Sequence, residues 1–312
     1  MRAVLFSRFS IRVVRPDTAR EPNEPHGGCA PSPPRLGCRP RSRTLARSLL
    51  NTLPTWVLAL AGVGGCAALA VAGLLLVRKR FPELGRTEIN DVAGIAIGVL
   101  AAVYGIILGF VIVSLYEDFT AAEANVVSEA AQLIQLYEDT RGMPIAHAMQ
   151  DEMRTYVANV RFREFELMKE GKSYAQLGDK HVGDMYRVLR GYSPATENRV
   201  AFYEDAVTQL NAVVSSRIER LHDATQELPT PFAVLLLVGA ALLIASMYLL
   251  AVPKLHVHMT IVIAVAVLTS FNLLIAVALD HPFSGDVSVS SKAFGEDKLA
   301  ELHATPADAD RR

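Results

Sequence analysis

The sequence predicts an all-α membrane protein with four transmembrane helices and an extramembrane helical bundle between the second and the third. Three observations support this fold class. The chain of 312 residues contains long apolar stretches without acidic or basic side chains, whereas charges are frequent elsewhere. The region between the two pairs of stretches has helical periods of apolar residues and no convincing strand pattern. This distribution excludes an ordinary soluble enzyme, a collagen-like chain and a wholly disordered protein.

Each apolar stretch is about 20 residues long, which is the length that a helix needs to cross the hydrocarbon layer of a membrane. The first is followed by the basic residues 78–80 instead of a small-residue cleavage site, so we expect a retained span. The short link 253–258 makes the last two stretches an antiparallel hairpin. The predicted spans cover about 53–77, 92–115, 232–252 and 259–279.

Residues 1–50 are rich in Arg and Pro and show no period, which predicts a disordered tail. Cys29 and Cys38 lie in this tail, and we expect free thiols there rather than a disulfide.

Near the span ends, seven Lys and Arg residues lie on the side of both termini and five on the opposite side. By the positive-inside rule this distribution favours a cytoplasmic position for residues 116–230.

The region between spans two and three predicts a bundle of helices with one apolar face each. Neither Pro nor Gly interrupts the chain from Phe110 to Arg141, so span two should continue as one helix of roughly 75 Å over Val92–Arg141. Further helices are expected at about 144–170, 173–190 and 194–228, the last capped at Ser193-Pro194. Coiled-coil contacts between copies are the alternative use of the same apolar faces. The faces of the first and last helices comprise Phe119, Ala122, Val126, Ala130, Leu133 and Tyr137, and Val200, Tyr203, Val207, Leu210, Val214, Ile218 and Leu221.

Span two contains glycines at a spacing of four residues, which removes side chains from part of its surface and lets another helix approach closely. Close helix contact is the favoured interpretation. The alternative is that span two lines an ion pathway, because apolar constrictions can gate ions by dewetting. Asn272 is the most polar point of span four and is expected to form an interhelical hydrogen bond or, less readily, to contact an ion. The pore-lining or helix-packing candidates are Gly94, Gly98, Tyr104, Gly105, Ile106, Gly109, Phe110 and Asn272.

Charged residues outside the spans indicate no catalytic or metal centre. The acidic residues Glu117, Asp118, Glu123 and Glu129 are expected to form a solvated face of the long helix, with a cation-attracting vestibule as the alternative. Arg217 and Arg220 are explained by pairing with lipid headgroups or carboxylates. His147, His181 and His222 are isolated in the sequence, and no Glu-x-x-His pair or hydrolase motif occurs. We therefore expect no enzyme activity, no metal and no cofactor, and the basic tail lacks the aromatic residues of a nucleic-acid site.

Four segments stand in order along the chain: Asn90-Asp91-Val92-Ala93-Gly94, Tyr104–Val111, Ala122-Glu123-Ala124 with Glu129-Ala130-Ala131, and Leu279–Gly285, which contains Asp280, Pro282, Phe283 and Gly285. Together they resemble the bestrophin-like domain family of bacterial membrane proteins, over about residues 53–295. The resemblance implies kinship with bestrophins, which are pentameric anion channels with cytosolic helical domains. The acidic calcium-binding run of bestrophins is not implied, because only Asp286 follows this last segment.

Our leading hypothesis is an oligomeric bestrophin-like ion channel in the bacterial inner (plasma) membrane, with span two lining the pore. The alternative is a non-transporting scaffold or sensor whose bundle binds a protein partner. The expected partners are the lipid bilayer, further copies of the chain and a small inorganic ion, with no nucleic acid. The expected domains are the tail 1–50, spans 53–115, bundle 116–230, hairpin 231–279 and C-terminal tail 280–312.

Overall fold

Helices account for all regular structure in the described part of the chain, as the sequence predicts. The structure is a computed structural model that describes residues 51, 54–81, 90–172, 176–296 and 298–300. The expected tail 1–50, with Cys29 and Cys38, lies outside these ranges. The helices are α1 (Thr55–Arg80), α2 (Asn90–Arg141), α3 (Ala146–Asn159), α4 (Phe165–Lys169), α5 (Gln176–Arg190), α6 (Glu197–Asp223), α7 (Thr230–Met247) and α8 (Leu255–Leu279), with a π turn at Val160–Glu164 and a 3-10 turn at Ser291–Gly295.

Four of the described helices are long and apolar enough to cross a membrane, which confirms the predicted spans. They are α1, the first half of α2, α7 and α8. In the most apolar segment of each of these helices, between 11% and 28% of the residues are buried within the protomer. Lipid or further protein must therefore cover most of this apolar surface, and the chain is a multi-pass membrane protein.

Polar contacts fix the end of the membrane region at which α1 ends and α2 begins. The Arg78 guanidinium donates to the Val252 carbonyl oxygen and lies 2.8 Å from His258 Nδ1, while His258 Nε2 lies 2.9 Å from the Met247 carbonyl oxygen. Asn90 Oδ1 accepts a 3.0 Å hydrogen bond from the Ala251 N–H. These bonds hold the α7–α8 hairpin link against both α1 and α2, at the end opposite the bundle.

The 52 residues of α2 form one helix of about 78 Å, which crosses the membrane region and continues into the bundle. This confirms the predicted uninterrupted helix. Beyond the membrane, α2 packs against α6, and α3 packs against α5. The bundle core includes the fully buried residues Leu133, Leu136, Met149, Met153, Tyr156, Met185 and Leu210. The predicted apolar faces therefore form an intramolecular bundle.

Two details of the predicted bundle are wrong. Helix α6 begins after Thr196, whose Oγ1 accepts a hydrogen bond from the Arg199 N–H, and the expected cap at Ser193-Pro194 lies in the preceding loop. Most of the predicted face of α6 lies in or against the core, but Ile218 is 62% exposed whereas Arg217 and Arg220 are buried. Two paired guanidinium groups occupy the core where hydrophobicity alone predicts an isoleucine.

The chain after α8 folds back onto the bundle. Phe283, Val289 and Phe294 are buried in the same core as α3 and α6. The turn depends on Gly285, whose φ of 81° lies in the left-handed region that favours glycine. Ser284 Oγ donates to the Lys169 carbonyl oxygen at 2.9 Å and fixes this segment to the end of α4. The first part of the expected C-terminal tail is thus an integral part of the bundle.

Candidate functional site

The transmembrane half of α2 has one surface that no part of the described protomer covers. A Cβ atom built on Gly94, Gly98, Gly105 or Gly109 would meet no heavy atom within 4 Å. Ile106 is 60% exposed and Phe110 is 74% exposed. At about 100° per residue, the glycines lie about a quarter-turn from the buried strip of α2, and Ile106 lies on the side opposite that strip. We call this uncovered surface the open face of α2.

Tyr104 lies on the buried strip of α2, apart from the other candidates. Its side chain packs against α7, where the hydroxyl donates to the Leu236 carbonyl oxygen at 3.1 Å. A Cβ atom on Gly239 would lie 2.6 Å from the Tyr104 ring, so a glycine in α7 provides the space for that ring. Asn272 also lies away from the open face, and its side-chain amide donates to the Leu268 carbonyl oxygen of its own helix at 2.8 Å. The structure therefore brings together only the glycines, Ile106 and Phe110.

A cavity of about 410 Å³ lies where α2 leaves the membrane region. Its walls are the end of the transmembrane part of α2, the α6–α7 connection and the end of α8. Phe110 stands at the border between the open face and this cavity. Four carboxylates line the cavity, and we call them the acidic mouth: Asp118, Asp223, Glu227 and Asp280.

Two of these carboxylates have identifiable roles at the boundary. Burial raises the pKa of Asp223, although a 2.9 Å hydrogen bond from Asn125 partly offsets this increase. Asp280 Oδ1 accepts a 2.6 Å hydrogen bond from the Leu228 N–H and so holds the α6–α7 connection against the end of α8. Asp118 is exposed. The mouth thus combines apolar walls with negative charge, an arrangement that attracts cations.

A second constellation lies deep in the bundle, below the membrane region. Arg220 donates from Nε to Glu129 Oε2 at 2.7 Å and from Nη2 to Glu129 Oε1 at 3.1 Å, and Nη2 also lies 2.9 Å from Glu164 Oε2. Arg217 Nη1 lies 2.7 Å from both Glu164 oxygens, and the Tyr156 hydroxyl donates to Glu129 Oε1 at 2.5 Å. We call these five residues the ionic cluster. The cluster holds two arginines and two glutamates, so its formal charges cancel.

Buried side chains and aromatic rings surround the ionic cluster. Glu129 and Arg220 are fully buried, and Phe165 and Phe294 place their rings 5.6 Å and 5.9 Å from the Arg220 guanidinium carbon. Burial alone would lower the pKa of Arg220, but Glu129, Tyr156 and Glu164 together outweigh burial and raise it. Burial and Glu129 together raise the pKa of Tyr156 well above its ordinary value. Both groups therefore keep their protons, and the cluster acts as a fixed structural connection between α2, α3 and α6.

The expected solvated face is wrong for Glu129, which is buried in the ionic cluster, whereas Glu117, Asp118 and Glu123 are exposed. Carboxylate pairing, one of the two expected explanations for Arg217 and Arg220, is the one that the structure shows. The sequence reasoning missed Glu164 and Tyr156. The i, i+3 spacing of two arginines on one amphipathic helix was the available signal, but it does not identify partners more than fifty residues away.

The residues on which the family resemblance rests lie at several places in the protomer, including the acidic mouth and the ionic cluster. Asn90 bonds the hairpin link, Asp91 and Glu123 are exposed, and Glu129 belongs to the ionic cluster. Asp280 lines the acidic mouth. The Pro282 carbonyl oxygen accepts a 2.7 Å hydrogen bond from the Val289 N–H. Phe283 lies in edge-on contact with Phe165, at 5.9 Å between ring centroids, and Gly285 forms the turn described above.

One group of side chains could hold a metal ion, although the sequence reasoning expects none. Glu152 of α3 and His181 and Asp184 of α5 place one ligand atom each within 4.8 Å of one another. His181 and Asp184 are three residues apart on one helix, and this spacing was the only signal in the sequence. Glu152 comes from a different helix, so its proximity depends on the packing of the bundle.

Comparison with known proteins supports the resemblance found in the sequence. The family model described as "Bestrophin-like domain" matches residues 64–294, which is more than half of the chain. Searches of curated proteins and of solved structures each gave no match. The matched range extends from within α1 to the 3-10 turn and includes the open face of α2, the acidic mouth and the ionic cluster.

Proposed function

Because the chain belongs to the Bestrophin-like domain family, we propose that it forms an oligomeric ion channel in which α2 of each copy lines a shared pathway. The observation that carries the proposal is the open face of α2. An isolated protomer leaves the four glycines, Ile106 and Phe110 uncovered, while Tyr104 and the rest of the buried strip pack against α7. The kinship with bestrophins that the family's name implies favours an oligomeric ion channel, but the cation preference proposed below rests on this chain's own residues, because bestrophins conduct anions.

The two parts of the open face suit two different neighbours. Glycines at a spacing of four residues allow the backbone of another helix to approach. We call the part of the open face formed by Gly94, Gly98, Gly105 and Gly109 the glycine edge, and it is suited to contact with a second copy. The side that bears Ile106 and Phe110 would then face the pathway, where apolar side chains form a constriction that opens by wetting. No charged side chain is needed in such a constriction.

The acidic mouth gives the proposed pathway a preference for cations. Four carboxylates surround a cavity at the end of the apolar segment, and negative charge at a pore entrance raises the local cation concentration. The long helix connects this entrance to the bundle, because α2 continues without a break to Arg141. We propose that the bundle lies in the cytoplasm, as the positive-inside count favours, and that the membrane is the bacterial plasma membrane.

The proposal is tested by measuring ion flux from liposomes that contain the purified full-length chain. We expect flux above that of protein-free liposomes, and we expect Ile106→Ala to change its rate. The matched control is Leu268→Ala on α8, since Leu268 is 65% exposed and Ile106 is 60% exposed. The control variant should conduct like the unmodified chain. Absence of flux from the unmodified chain would contradict the proposal and favour a membrane scaffold whose bundle binds a protein partner.

A further inference from the structure

We propose that Glu152, His181 and Asp184 form a binding site for a divalent metal ion of the zinc type, between α3 and α5. Their ligand atoms lie within 4.8 Å of one another, and His181 Nδ1 lies 3.4 Å from Glu152 Oε2. The site lies in the extramembrane bundle, and it is separate from the open face, the acidic mouth and the ionic cluster. Metal binding at this site does not depend on ion conduction through the membrane region.

The distances suit a small ion with four ligands. Zinc binds imidazole nitrogen and carboxylate oxygen at about 2.0–2.2 Å, so two ligands of a tetrahedral zinc ion lie about 3.3–3.6 Å apart. The observed 3.4 Å between His181 Nδ1 and Glu152 Oε2 falls within that range. His181 and Asp184 share one face of α5 because residues three apart are neighbours on a helix surface. Small rotations of the carboxylates would bring all three ligand atoms around one ion.

The chemistry of the ligands narrows the choice of metal. One imidazole with two carboxylates is a nitrogen and oxygen set that suits zinc or manganese, whereas copper(I) selects sulfur ligands. The side chains of His181, Asp184 and Glu152 are 16%, 12% and 31% exposed, so the ion would be only partly screened by water. Three protein ligands leave one position of a tetrahedral ion for water. The bound ion would connect α3 to α5 and stiffen that half of the bundle.

Arg187 is the competitor that the ion must displace. Its Nη1 lies 2.5 Å from Asp184 Oδ1, but the Arg187 side chain is 78% exposed. Because the arginine end of this pair already lies in water, Arg187 can move away from Asp184 at small cost when the ion takes its place. Removing the arginine side chain, in Arg187→Ala, should therefore strengthen metal binding.

The test is metal binding by the full-length chain, purified in detergent with a tag that contains no histidine and stripped with a chelator. Equilibrium dialysis against zinc sulfate measures the stoichiometry, and the visible absorption of added cobalt(II) reports a four-coordinate site. We expect one ion per chain, with affinity at least about tenfold weaker in His181→Ala, Glu152→Gln and Asp184→Asn. His147→Ala is the matched control, because His147 is an exposed histidine on α3.

Two results would overturn the proposal. One is that the unmodified chain binds no zinc above a detergent blank. The other is that all three ligand variants bind zinc as tightly as the unmodified chain, which would place the ion elsewhere. Glu152→Gln and Asp184→Asn preserve side-chain shape, so both variants are expected to fold. If their far-ultraviolet circular dichroism matches that of the unmodified chain, weaker zinc binding reflects the loss of a ligand and not the loss of the fold. Tighter binding by Arg187→Ala is an additional expected result, and weaker binding would contradict the competition described above.

Discussion

Arg220 of α6 and Glu129 of α2 form a bidentate ion pair in the bundle core, with both side chains fully buried. The pair connects the two longest helices of the bundle at positions 91 residues apart in the sequence. The aromatic rings of Phe165 and Phe294 enclose the guanidinium group, and Phe294 comes from the segment after the last span. One arginine therefore joins the helix that crosses the membrane, the helix that returns to it and the C-terminal segment.

Replacing Arg220 tests how much the ionic cluster contributes to stability. Arg220→Met should lower the free energy of unfolding by about 3–5 kcal/mol, because two buried carboxylates would lose their shared partner. Urea unfolding of the detergent-solubilised full chain, followed by circular dichroism, measures the change. Arg199→Met is the control, since Arg199 is an exposed arginine on the same helix and its replacement should change stability by less than about 0.5 kcal/mol. Equal effects of the two variants would contradict a stabilising role for the cluster.

Asp139→Asn should stabilise the bundle at neutral pH. Burial raises the pKa of Asp139 above its ordinary value of 3.8, and Asp205 adds to the increase, although a hydrogen bond from Gln135 opposes it. Asp139 Oδ2 has no hydrogen-bond partner among the described residues, so the ionised form is poorly satisfied. The folded state binds the proton more tightly than the unfolded state does. The contribution of Asp139 to stability is therefore greatest below pH 3.8 and falls as the pH rises through the folded pKa.

An uncharged asparagine at position 139 does not lose stability in this way. At pH 7 the Asp139→Asn variant should therefore have a free energy of unfolding about 1 kcal/mol or more above that of the unmodified chain, and this difference should shrink as the pH is lowered. Urea unfolding at several pH values measures this dependence. Glu123→Gln is the control because Glu123 is an exposed carboxylate on the same helix, and it should show no such advantage. An Asp139→Asn variant that is less stable than the unmodified chain at pH 7 would show that ionised Asp139 has a stabilising partner.

Two glycine substitutions distinguish contacts within a protomer from contacts between protomers. Gly239→Ala should destabilise the protomer by about 1–3 kcal/mol, because the new Cβ would lie 2.6 Å from the Tyr104 ring. Gly105→Ala meets open space in the protomer and should not destabilise it. Thermal unfolding in detergent compares the two. Gly105→Leu should in addition reduce the oligomer mass measured by light scattering, whereas an unchanged mass would show that the glycine edge is not a subunit contact.

Neutralising the acidic mouth should reduce the preference for cations. Asp118→Asn removes an exposed carboxylate from the cavity wall, and the ratio of cation to anion permeability in liposomes should fall. Glu123→Gln is the matched control, because Glu123 is also exposed on α2 but does not line the cavity. If both variants changed the permeability ratio equally, general surface charge rather than the mouth would determine selectivity.

The elements that the sequence predicts correctly are those with a purely local cause. Apolar stretches of membrane length predict spans because lipid cannot satisfy backbone polar groups, and the absence of Pro and Gly after Phe110 predicts the length of α2. One part of the buried face of α6 could not be predicted in this way. Hydrophobic periodicity predicts that Ile218 is buried, but Ile218 is exposed. Arg217 and Arg220 occupy the core instead, because their charges are paired there with Glu164 and Glu129.

The candidate sites also differ in how far a local sequence pattern predicts them. The glycine edge of α2 follows from residue spacing along one helix, so the sequence indicates it directly. The acidic mouth and the Glu152–His181–Asp184 group each combine side chains from different helices. Their assembly depends on tertiary contacts, which the spacing of residues in the sequence does not specify.

The accessibility of Ile106 to water in the conducting protein tests most directly whether the open face of α2 lines an ion pathway. Ile106→Cys, in a chain whose natural cysteines are replaced by serine, is recorded in a planar bilayer before and after addition of a charged, water-soluble thiol reagent. If the open face of α2 lines the pathway, the reagent should alter the single-channel current, and the same reagent should leave a Leu268→Cys channel unchanged. A current that the reagent leaves unaffected at Ile106→Cys, with the thiol still unmodified, would show that this face contacts lipid and would contradict the account.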